Sequence, residues 1–284
     1  MGEHTVAANS TTPLRLLRSW AGTGFSWAIG LAFFLPIAWM ALTSLKPEVL
    51  AVTNPPTFIF TPTFENYLSI LGAPDAMLAF RNSLVASLGS TVLALTFAFP
   101  IAFAMAVRRV KRASDALFFV ISTRMLPLPG VIIPIYMAVQ ALGQLDNIGT
   151  LVAFYTTMNM PLAVWMLRAY LLDMPKEIVE AATVDGANGW QLVSRVVLPL
   201  IRPSLAATAV LCMVFAWSEF FLAVSLTSYD AATIPVYLTG FVTDRGLYWG
   251  SLSAMAVLAS LPVVLLGTFA QRYIMKGFSM DSDK

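Results

Sequence analysis

The chain has 284 residues, of which 58% are hydrophobic and 11% are charged, and its mean hydropathy is +0.77. A soluble domain carries about 25% charged residues, so this chain has too little charge to cover a water-facing surface. The net charge of +2 is too small to indicate nucleic-acid binding. The one cysteine, Cys212, has no second cysteine for a disulfide or a thiolate metal cluster, and the one histidine, His4, lies in a polar N-terminal tail, which argues against Cys-His or His-metal chemistry. The composition predicts an all-α integral membrane protein with no catalytic or metal site.

Six apolar segments are long enough to cross a bilayer, which takes about 20 residues. In chain order they cover residues 20–42, 83–107, 116–141, 148–167, 204–226 and 251–271. We expect the first to be a retained helix rather than a signal peptide, because its apolar stretch is too long and five more spans follow. The predicted domains are an N-terminal tail (1–19), a six-span transmembrane domain (20–276) and a C-terminal tail (277–284).

The basic residues predict the orientation, because cytoplasmic loops of membrane proteins are enriched in Lys and Arg. With six spans, both termini lie on one side, and thirteen basic residues fall on that side: Arg15, Arg18, Arg108, Arg109, Lys111, Arg112, Arg168, Lys176, Arg195, Arg202, Arg272, Lys276 and Lys284. The opposite side has only Lys46, Arg81 and Arg245. We therefore expect a multi-pass protein of the cytoplasmic (inner or plasma) membrane with both termini cytoplasmic.

Prolines interrupt several spans, most of all the third, which contains Pro127, Pro129 and Pro134. Each proline frees a backbone carbonyl and kinks a helix, and freed polar groups in lipid need protein or water as partners. The third span is therefore predicted to be kinked, either along a wet cavity or simply because membrane helices tolerate proline. Before the second span, Glu65 is predicted to start a short amphipathic helix on the outer surface.

The cytoplasmic loop 172–203, between spans four and five, has the sequence of two short helices joined by a turn. Asp173 is a candidate cap and Pro175 a first-turn residue for the first helix. Gly186 is placed to end that helix with positive φ. Asn188 with Gln191 resembles a capping pair, and Pro199 with Pro203 is predicted to end the second helix. These features predict a rigid projection suited to a cytoplasmic partner.

The sequence Glu180-Ala181-Ala182-x-x-Asp185-Gly186-Ala187, followed by Pro199 and Pro203, resembles the EAA signature of binding-protein-dependent ABC importer permeases. Further stretches resemble the maltose-type carbohydrate permeases, in particular their shorter, six-span partner subunit. They are Thr123-Arg124-Met125, Ile133-Pro134-Ile135-Tyr136, Asn159-Met160-Pro161 with Trp165, Trp217-Ser218-Glu219-Phe220, and Gln271-Arg272-Tyr273-Ile274 with Lys276-Gly277. Ser218 departs from the pattern, since the family usually has Asn there.

The resemblance implies that the chain is the permease subunit of an ATP-driven importer, which moves a carbohydrate by alternating access. The coupling helix in the 172–203 loop would dock on an ATP-binding subunit. The implied docking residues are Glu180, Ala181, Ala182, Asp185, Gly186, Ala187 and Pro199. The implied partners are a second homologous permease, two ATP-binding subunits and an extracytoplasmic solute-binding protein. The chain has no G-x-x-x-x-G-K-[ST] phosphate loop, so ATP and Mg²⁺ are expected on the separate ATPase and no cofactor on this chain.

Two charged residues lie within predicted spans, Arg124 and Glu219. Intramembrane charges usually face a bundle interior or a water path. We predict that they line or gate the translocation path, where a direct pair is possible, and that Trp217 offers a stacking face to a sugar. Asn159 and Tyr155 are further candidates for the path. The competing interpretation of Arg124 and Glu219 is a polar packing contact within the bundle or with the partner permease.

Other functions are compatible with parts of this pattern. A polyol or glycerol phosphate could replace the carbohydrate as the solute. A stand-alone secondary transporter or channel would need its own coupling-ion site, and the spans offer few acidic residues beyond Glu219. Such a protein would also leave the capped cytoplasmic loop without a purpose.

Overall fold

The computed structural model describes residues 13–108, 110–243 and 246–278. Its helices are α1 (Pro13–Ser44), α2 (Glu48–Ala51), α3 (Glu65–Leu71), α4 (Pro74–Ala106), α5 (Ala113–Ser122), α6 (Leu128–Ala141), α7 (Ile148–Asp173), α8 (Lys176–Val184), α9 (Gly189–Gln191), α10 (Leu198–Leu200), α11 (Arg202–Trp217), α12 (Phe221–Leu226), α13 (Ile234–Thr239) and α14 (Trp249–Phe278). A 3₁₀ turn covers Thr123–Met125, a π-helical segment covers Leu192–Val197, and the two-residue strands β1 (Val242–Thr243) and β2 (Gly246–Leu247) pair antiparallel. His4, Arg109, Arg245, Lys284 and most of the two predicted tails lie outside the described residues.

The predicted helical membrane fold is confirmed. Within the described residues, four helices are long and apolar enough to cross a bilayer: Gly22–Ser44, Pro74–Ala106, Ile148–Asp173 and Trp249–Thr268. Two bent helix pairs, Ala113–Met125 with Leu128–Ala141 and Gly189–Leu200 with Arg202–Trp217, raise the number to six if each pair is one span. The six-span prediction therefore corresponds to the upper count. The predicted short helix at Glu65 is α3.

The third predicted span is broken rather than merely kinked. Helices α5 and α6 meet at an angle of 86°, and the 3₁₀ turn at Thr123–Met125 lies between them. Pro127 has extended backbone before α6, and Pro129 occupies the first turn of α6. Proline in these positions cannot continue an incoming helix but is well suited to start a new one, which explains the abrupt change of direction.

The prediction of one continuous fifth span over 204–226 is wrong. Helix α11 ends at Trp217 and α12 begins at Phe221, so Glu219 lies in the break and not inside a helix. The Glu219 carboxylate accepts hydrogen bonds from the backbone N–H of Leu222 at 3.0 Å and of Ala223 at 3.3 Å. A side chain that caps the next helix in this way competes with continuation of the preceding helix.

The chain divides into two compact units. In the larger unit, Leu68–Leu247 with Leu258–Lys284, the helices α4, α7 and α11 pack together. Helix α4 presents small buried residues to this contact: Ala86, Ser87, Ser90, Ala94, Ala98 and Ala102. Small residues allow close backbone approach between membrane helices, where lipid removes the hydrophobic force that drives packing in water. The close packing explains why Leu151, Val164 and Leu167 of α7 are fully buried.

A loop of the larger unit is held by Asp146, which lies between α6 and α7. Its carboxylate accepts four backbone hydrogen bonds, at 2.9–3.0 Å, from the N–H groups of residues 228–231. Burial alone would raise the pKa of Asp146, but the four amide donors outweigh it and lower the pKa below its usual value. Asp146 has a φ of 54°, a left-handed conformation that Asp tolerates better than most residues. These four hydrogen bonds to Asp146, here called the Asp146 clasp, fix the loop after α12.

The smaller unit comprises Met1–Tyr67 and Tyr248–Val257. Within it, the Asn66 amide donates hydrogen bonds to the carbonyls of Ser44 and Lys46 at 2.9 and 2.8 Å. Glu48 accepts from the N–H groups of Gly250 and Ser251 at 3.0 and 3.1 Å, which caps the start of α14. These polar contacts fix the segment that follows the first span.

Candidate functional site

The loop predicted to lie in the cytoplasm and to bind a partner is built around a tight turn after α8. Gly186 has a φ of +82°, as predicted, and its N–H donates to the carbonyl of Thr183 at 3.1 Å. The N–H of Ala187 donates to the carbonyl of Ala182 at 3.0 Å. This pair of bonds is a Schellman motif, which satisfies the last carbonyls of a helix through a left-handed residue. The turn is therefore a defined structure and not a flexible connection.

The second half of the loop starts with the predicted capping box. The Asn188 side chain accepts from the N–H of Gln191 at 2.9 Å, and the Gln191 side chain accepts from the N–H of Asn188 at 3.0 Å. Only Asp185, Gly186 and Ala187 separate the end of α8 from this cap. Two capping motifs placed back to back leave the backbone of this loop little conformational freedom.

Two details of the predicted loop are wrong. Asp173 does not cap α8, because it is the last residue of α7, and Pro175 occupies the cap position without a side-chain hydrogen bond. Helix α7 extends to Asp173, beyond the predicted span 148–167. The residues after 167 favour helix, and no helix-ending residue occurs before Pro175. The second helix is also not a simple α-helix. It continues from α9 through the π-helical segment into α10, which contains Pro199, and the chain bends by 75° before α11, where Pro203 lies in the first turn.

One face of the loop is anchored and the other is exposed. Val179 and Ala182 pack against a buried cluster that includes Leu171, Leu192 and Val197. Glu180, Ala181 and Asp185 are exposed, as are Gly186 and the side chain of Trp190. Of the docking residues predicted from the sequence, Ala182, Ala187 and Pro199 are partly buried. The rigid attachment of one face leaves the Glu180–Asp185 face available to a partner.

Sequence reasoning missed two apolar residues of the exposed face. The side chain of Val184 is 87% exposed and that of Trp190 is 77% exposed, on either side of the Gly186 turn. Exposed apolar side chains beside a rigid turn are typical of interaction surfaces, and Trp is enriched among residues that dominate binding energy. The sequence does offer a signal for this surface. Val184 and Trp190 are apolar residues that flank the polar turn Asp185–Gly189 and belong to no helical apolar pattern.

The intramembrane candidates fall into separate groups. Arg124 lies in the 3₁₀ turn, with its guanidinium carbon 5.1 Å from the centre of the Phe215 ring. It lines a cavity of about 230 Å³ together with Pro161 and Trp165. Glu219 forms no ion pair with Arg124 within the described part of the chain, because its carboxylate caps α12. The two charges thus lie in distinct surroundings.

The remaining path candidates are buried within the helix bundle. The Tyr155 hydroxyl donates to the backbone carbonyl of Glu219 at 3.5 Å, and the Asn159 amide donates to the carbonyl of Cys212 at 3.1 Å. The Asn159 side-chain oxygen is buried without a hydrogen-bond partner. Trp217 is 6% exposed and donates from Nε1 to the carbonyl of Ala259 at 3.1 Å, so its ring is covered in this conformation. Tyr155 and Glu219 are together, whereas Arg124 lies apart.

A helical multi-pass membrane protein with an exposed, doubly capped loop between two of its membrane helices is the class that this geometry defines. The family described as binding-protein-dependent transport system inner membrane component matches residues 98–279. The match covers both the broken spans and the loop, and the chain belongs to this family. It is an inner-membrane transport protein.

Curated relatives support this assignment over nearly the whole chain. The arabinooligosaccharides transport system permease protein of Halalkalibacterium halodurans is 32% identical over 94% of this chain and 96% of the relative. The diacetylchitobiose uptake system permease protein of Streptomyces coelicolor is 31% identical over 90% of this chain and 93% of the relative. A chain from the crystal structure of a bacterial ABC transporter that imports alginate shares the fold, with a TM-score of 0.77 and 22% identity over 94% of this chain and 99% of that chain.

Proposed function

We propose that the chain is the permease subunit of an ATP-driven importer for a carbohydrate. The observation that carries this proposal is the rigid loop from α8 to α10, whose exposed face presents Glu180, Val184, Asp185 and Trp190. A transporter that completed its cycle alone would have no use for such a surface. The oligosaccharides in the names of its relatives support the solute class.

The partners follow from the same proposal. A separate ATP-binding subunit docks on the exposed face of α8 and carries ATP and Mg²⁺. A second, homologous permease completes the path, two ATP-binding subunits drive the cycle, and a solute-binding protein delivers the carbohydrate from outside. This chain itself hydrolyses no ATP, and the basic-residue bias supports cytoplasmic termini.

The family membership argues against a stand-alone secondary transporter or channel. Within the proposed function, Arg124, Glu219, Asn159, Tyr155 and Trp217 remain candidates for the translocation path. The break at Ser218–Phe220 supports a role for Glu219, because irregular backbone at membrane depth is tolerated where protein or a water-filled cavity surrounds it. The covered ring of Trp217 could serve a sugar only in another conformation.

The test is gentle affinity purification of the tagged chain from membranes, followed by identification of its partners and measurement of their ATPase activity. We expect an ATP-binding subunit and a second permease to copurify. Uptake of radiolabelled oligosaccharides, polyols and glycerol phosphate by proteoliposomes containing the purified complex then identifies the solute. A chain that transports without any ATP-binding partner would overturn the importer assignment, whereas uptake of a polyol or glycerol phosphate alone would overturn only the carbohydrate assignment.

A further inference from the structure

A cavity of about 520 Å³ lies in the smaller unit, beside the end of α1 and the start of α14. Its apolar wall includes Met40, Leu50, Val52, Leu252 and Ala256. The polar side chains Thr43, Lys46, Thr53 and Ser253 also line it. None of these residues belongs to the proposed docking loop or to the candidate translocation path.

Lys46 is the unusual member of this cavity, because its side chain is only 2% exposed. Its Nζ atom lies 4.3 Å from the centre of the Trp39 ring and 5.4 Å from that of Phe60. Over the described ranges, no carboxylate forms an ion pair with this ammonium. The carboxylate of the neighbouring Glu48 instead accepts hydrogen bonds from the backbone N–H groups of Gly250 and Ser251. A buried cation supported by aromatic rings alone is costly, so it favours an anionic ligand.

A second polar group in the cavity lacks a partner. Thr43 is buried, with 5% of its surface exposed, and lines the same cavity as Lys46. Its hydroxyl makes no hydrogen bond within the described residues. Buried polar groups in folded proteins are nearly always hydrogen-bonded, so this hydroxyl is free to bond a polar ligand in the cavity. Thr43 lies in the last turn of α1, and the N–H of Lys46 donates to the Thr43 carbonyl at 3.1 Å, so the two residues are held close together just where the helix ends.

The remaining features indicate a ligand with a long apolar part. Trp39 and Trp249 both line the cavity and are 36% and 42% exposed. Partly exposed Trp at the end of a membrane span is typical of the lipid headgroup level. The 18-residue apolar window of the first span has no buried residues in the described chain, so hydrocarbon can reach the cavity along α1.

We propose that this cavity binds one anionic phospholipid, with its phosphate against the Lys46 ammonium and the Thr43 hydroxyl and an acyl chain along the apolar wall. In the proposed orientation, this site lies in the outer leaflet of the membrane. Lipid binding to the cavity does not depend on the proposed transport function. Lys46 is one of only three basic residues predicted on that side, so few other cations there compete for the phosphate.

Native mass spectrometry of the purified importer complex, titrated with dioleoylphosphatidylglycerol, tests the proposal. We expect Lys46→Gln to weaken lipid binding about fivefold, as for the loss of one basic contact near a membrane surface. Thr43→Val and Ala256→Phe, which remove the hydroxyl and fill the apolar wall, should also weaken it. The exposed cation Arg81 does not line the cavity, and Arg81→Gln should bind the lipid as wild type does.

Dioleoylphosphatidylcholine and inorganic phosphate distinguish the source of the anion. We expect phosphatidylcholine to bind several-fold more weakly than phosphatidylglycerol, and millimolar phosphate to leave lipid binding unchanged. Wild-type affinity in Lys46→Gln, equal affinity for the two lipids, or full displacement by phosphate would each overturn the proposal. If Lys46→Gln does not fold, unchanged lipid binding by folded Thr43→Val and Ala256→Phe would overturn it, and a weakening of both would support it.

Discussion

At the residue scale, Gly186 sets the shape of the 172–203 loop. Its φ of +82° is a conformation that residues with a Cβ adopt at a cost, and beyond its adjacent residues no atom lies within 4 Å of the position that a Cβ would occupy. The cost of a substitution is therefore purely one of backbone conformation. The same holds for Gly143, whose φ is +63° and whose Cβ position is also open, in the turn after α6.

We expect Gly186→Ala to cost about 1–2 kcal/mol locally, because the left-handed region is unfavourable for an L-residue. The turn should shift, and transport per ATP hydrolysed should fall while the complex still assembles. Gly143→Ala is the matched control, with similar strain at a turn outside the docking loop, and should leave this ratio unchanged. The measurement is coupled uptake and ATPase activity in proteoliposomes; equal ratios in the two variants would contradict a coupling role for the Gly186 turn.

The hydrogen bonds to Asp146 predict how much its carboxylate contributes to the stability of the fold. Asp146→Asn keeps the shape and tolerates the left-handed backbone but loses the charge that four amides share. We expect a loss of about 1 kcal/mol, less than is typical for hydrogen bonds to a charged group, because the carboxylate is partly exposed. Asp230→Asn, in the same loop and with no hydrogen bond to its carboxylate in the described structure, should have little effect.

The pH dependence of this effect has a definite sign. Since the clasp lowers the pKa of Asp146 in the folded protein, its stabilisation is present above the unfolded value near 3.8 and is lost as pH falls through the folded value. Thermal unfolding in detergent should therefore show wild type above Asp146→Asn at neutral pH, with the difference shrinking below about pH 4. A difference that grows on acidification would contradict the clasp.

At the element scale, the sequence predicted where helices lie better than where they break. The apolar runs locate the long membrane helices, because lipid imposes a length on them. Gly186 and the Asn188–Gln191 box were also predictable, since each rests on local backbone chemistry. The break at Ser218–Phe220 was not, because it depends on the Glu219 side chain turning to the amides of α12 rather than on a proline or glycine. The Asp146 clasp and the Lys46 cavity join residues far apart in sequence, which no local pattern reports.

At this scale, two substitutions of Glu219 distinguish a structural role, capping α12, from a role in transport. Glu219→Ala removes the cap of α12 and should destabilise the protein by about 1 kcal/mol. Glu219→Gln keeps an oxygen for the amide of Leu222 but removes the charge, so stability should be near wild type. If the charge serves the path, we expect uptake to fall at least about tenfold in Glu219→Gln, from the loss of one charged contact. Normal uptake by this variant, with both properties lost in Glu219→Ala, would leave Glu219 with a structural role only.

At the scale of the whole molecule, the orientation proposed from basic residues is testable by labelling single introduced cysteines. Cys212 is fully buried, so the native thiol should remain silent. Leu142→Cys, at a position 74% exposed after α6, should react with an impermeant maleimide in intact cells. Val110→Cys, at a position 49% exposed between α4 and α5, should react only after permeabilisation. The reverse pattern would invert the topology and remove the docking loop from the cytoplasm.

The central claim is that the exposed face of the 172–203 loop binds the ATP-binding subunit. The most direct measurement places a photocrosslinking amino acid at Trp190 in the assembled complex and, as a control, at Leu142, which is also exposed. We predict a crosslink from position 190 to the ATP-binding subunit that changes in yield with ATP, and none to that subunit from position 142. A complex in which position 190 never crosslinks to the ATP-binding subunit, while that subunit copurifies, would contradict the claim.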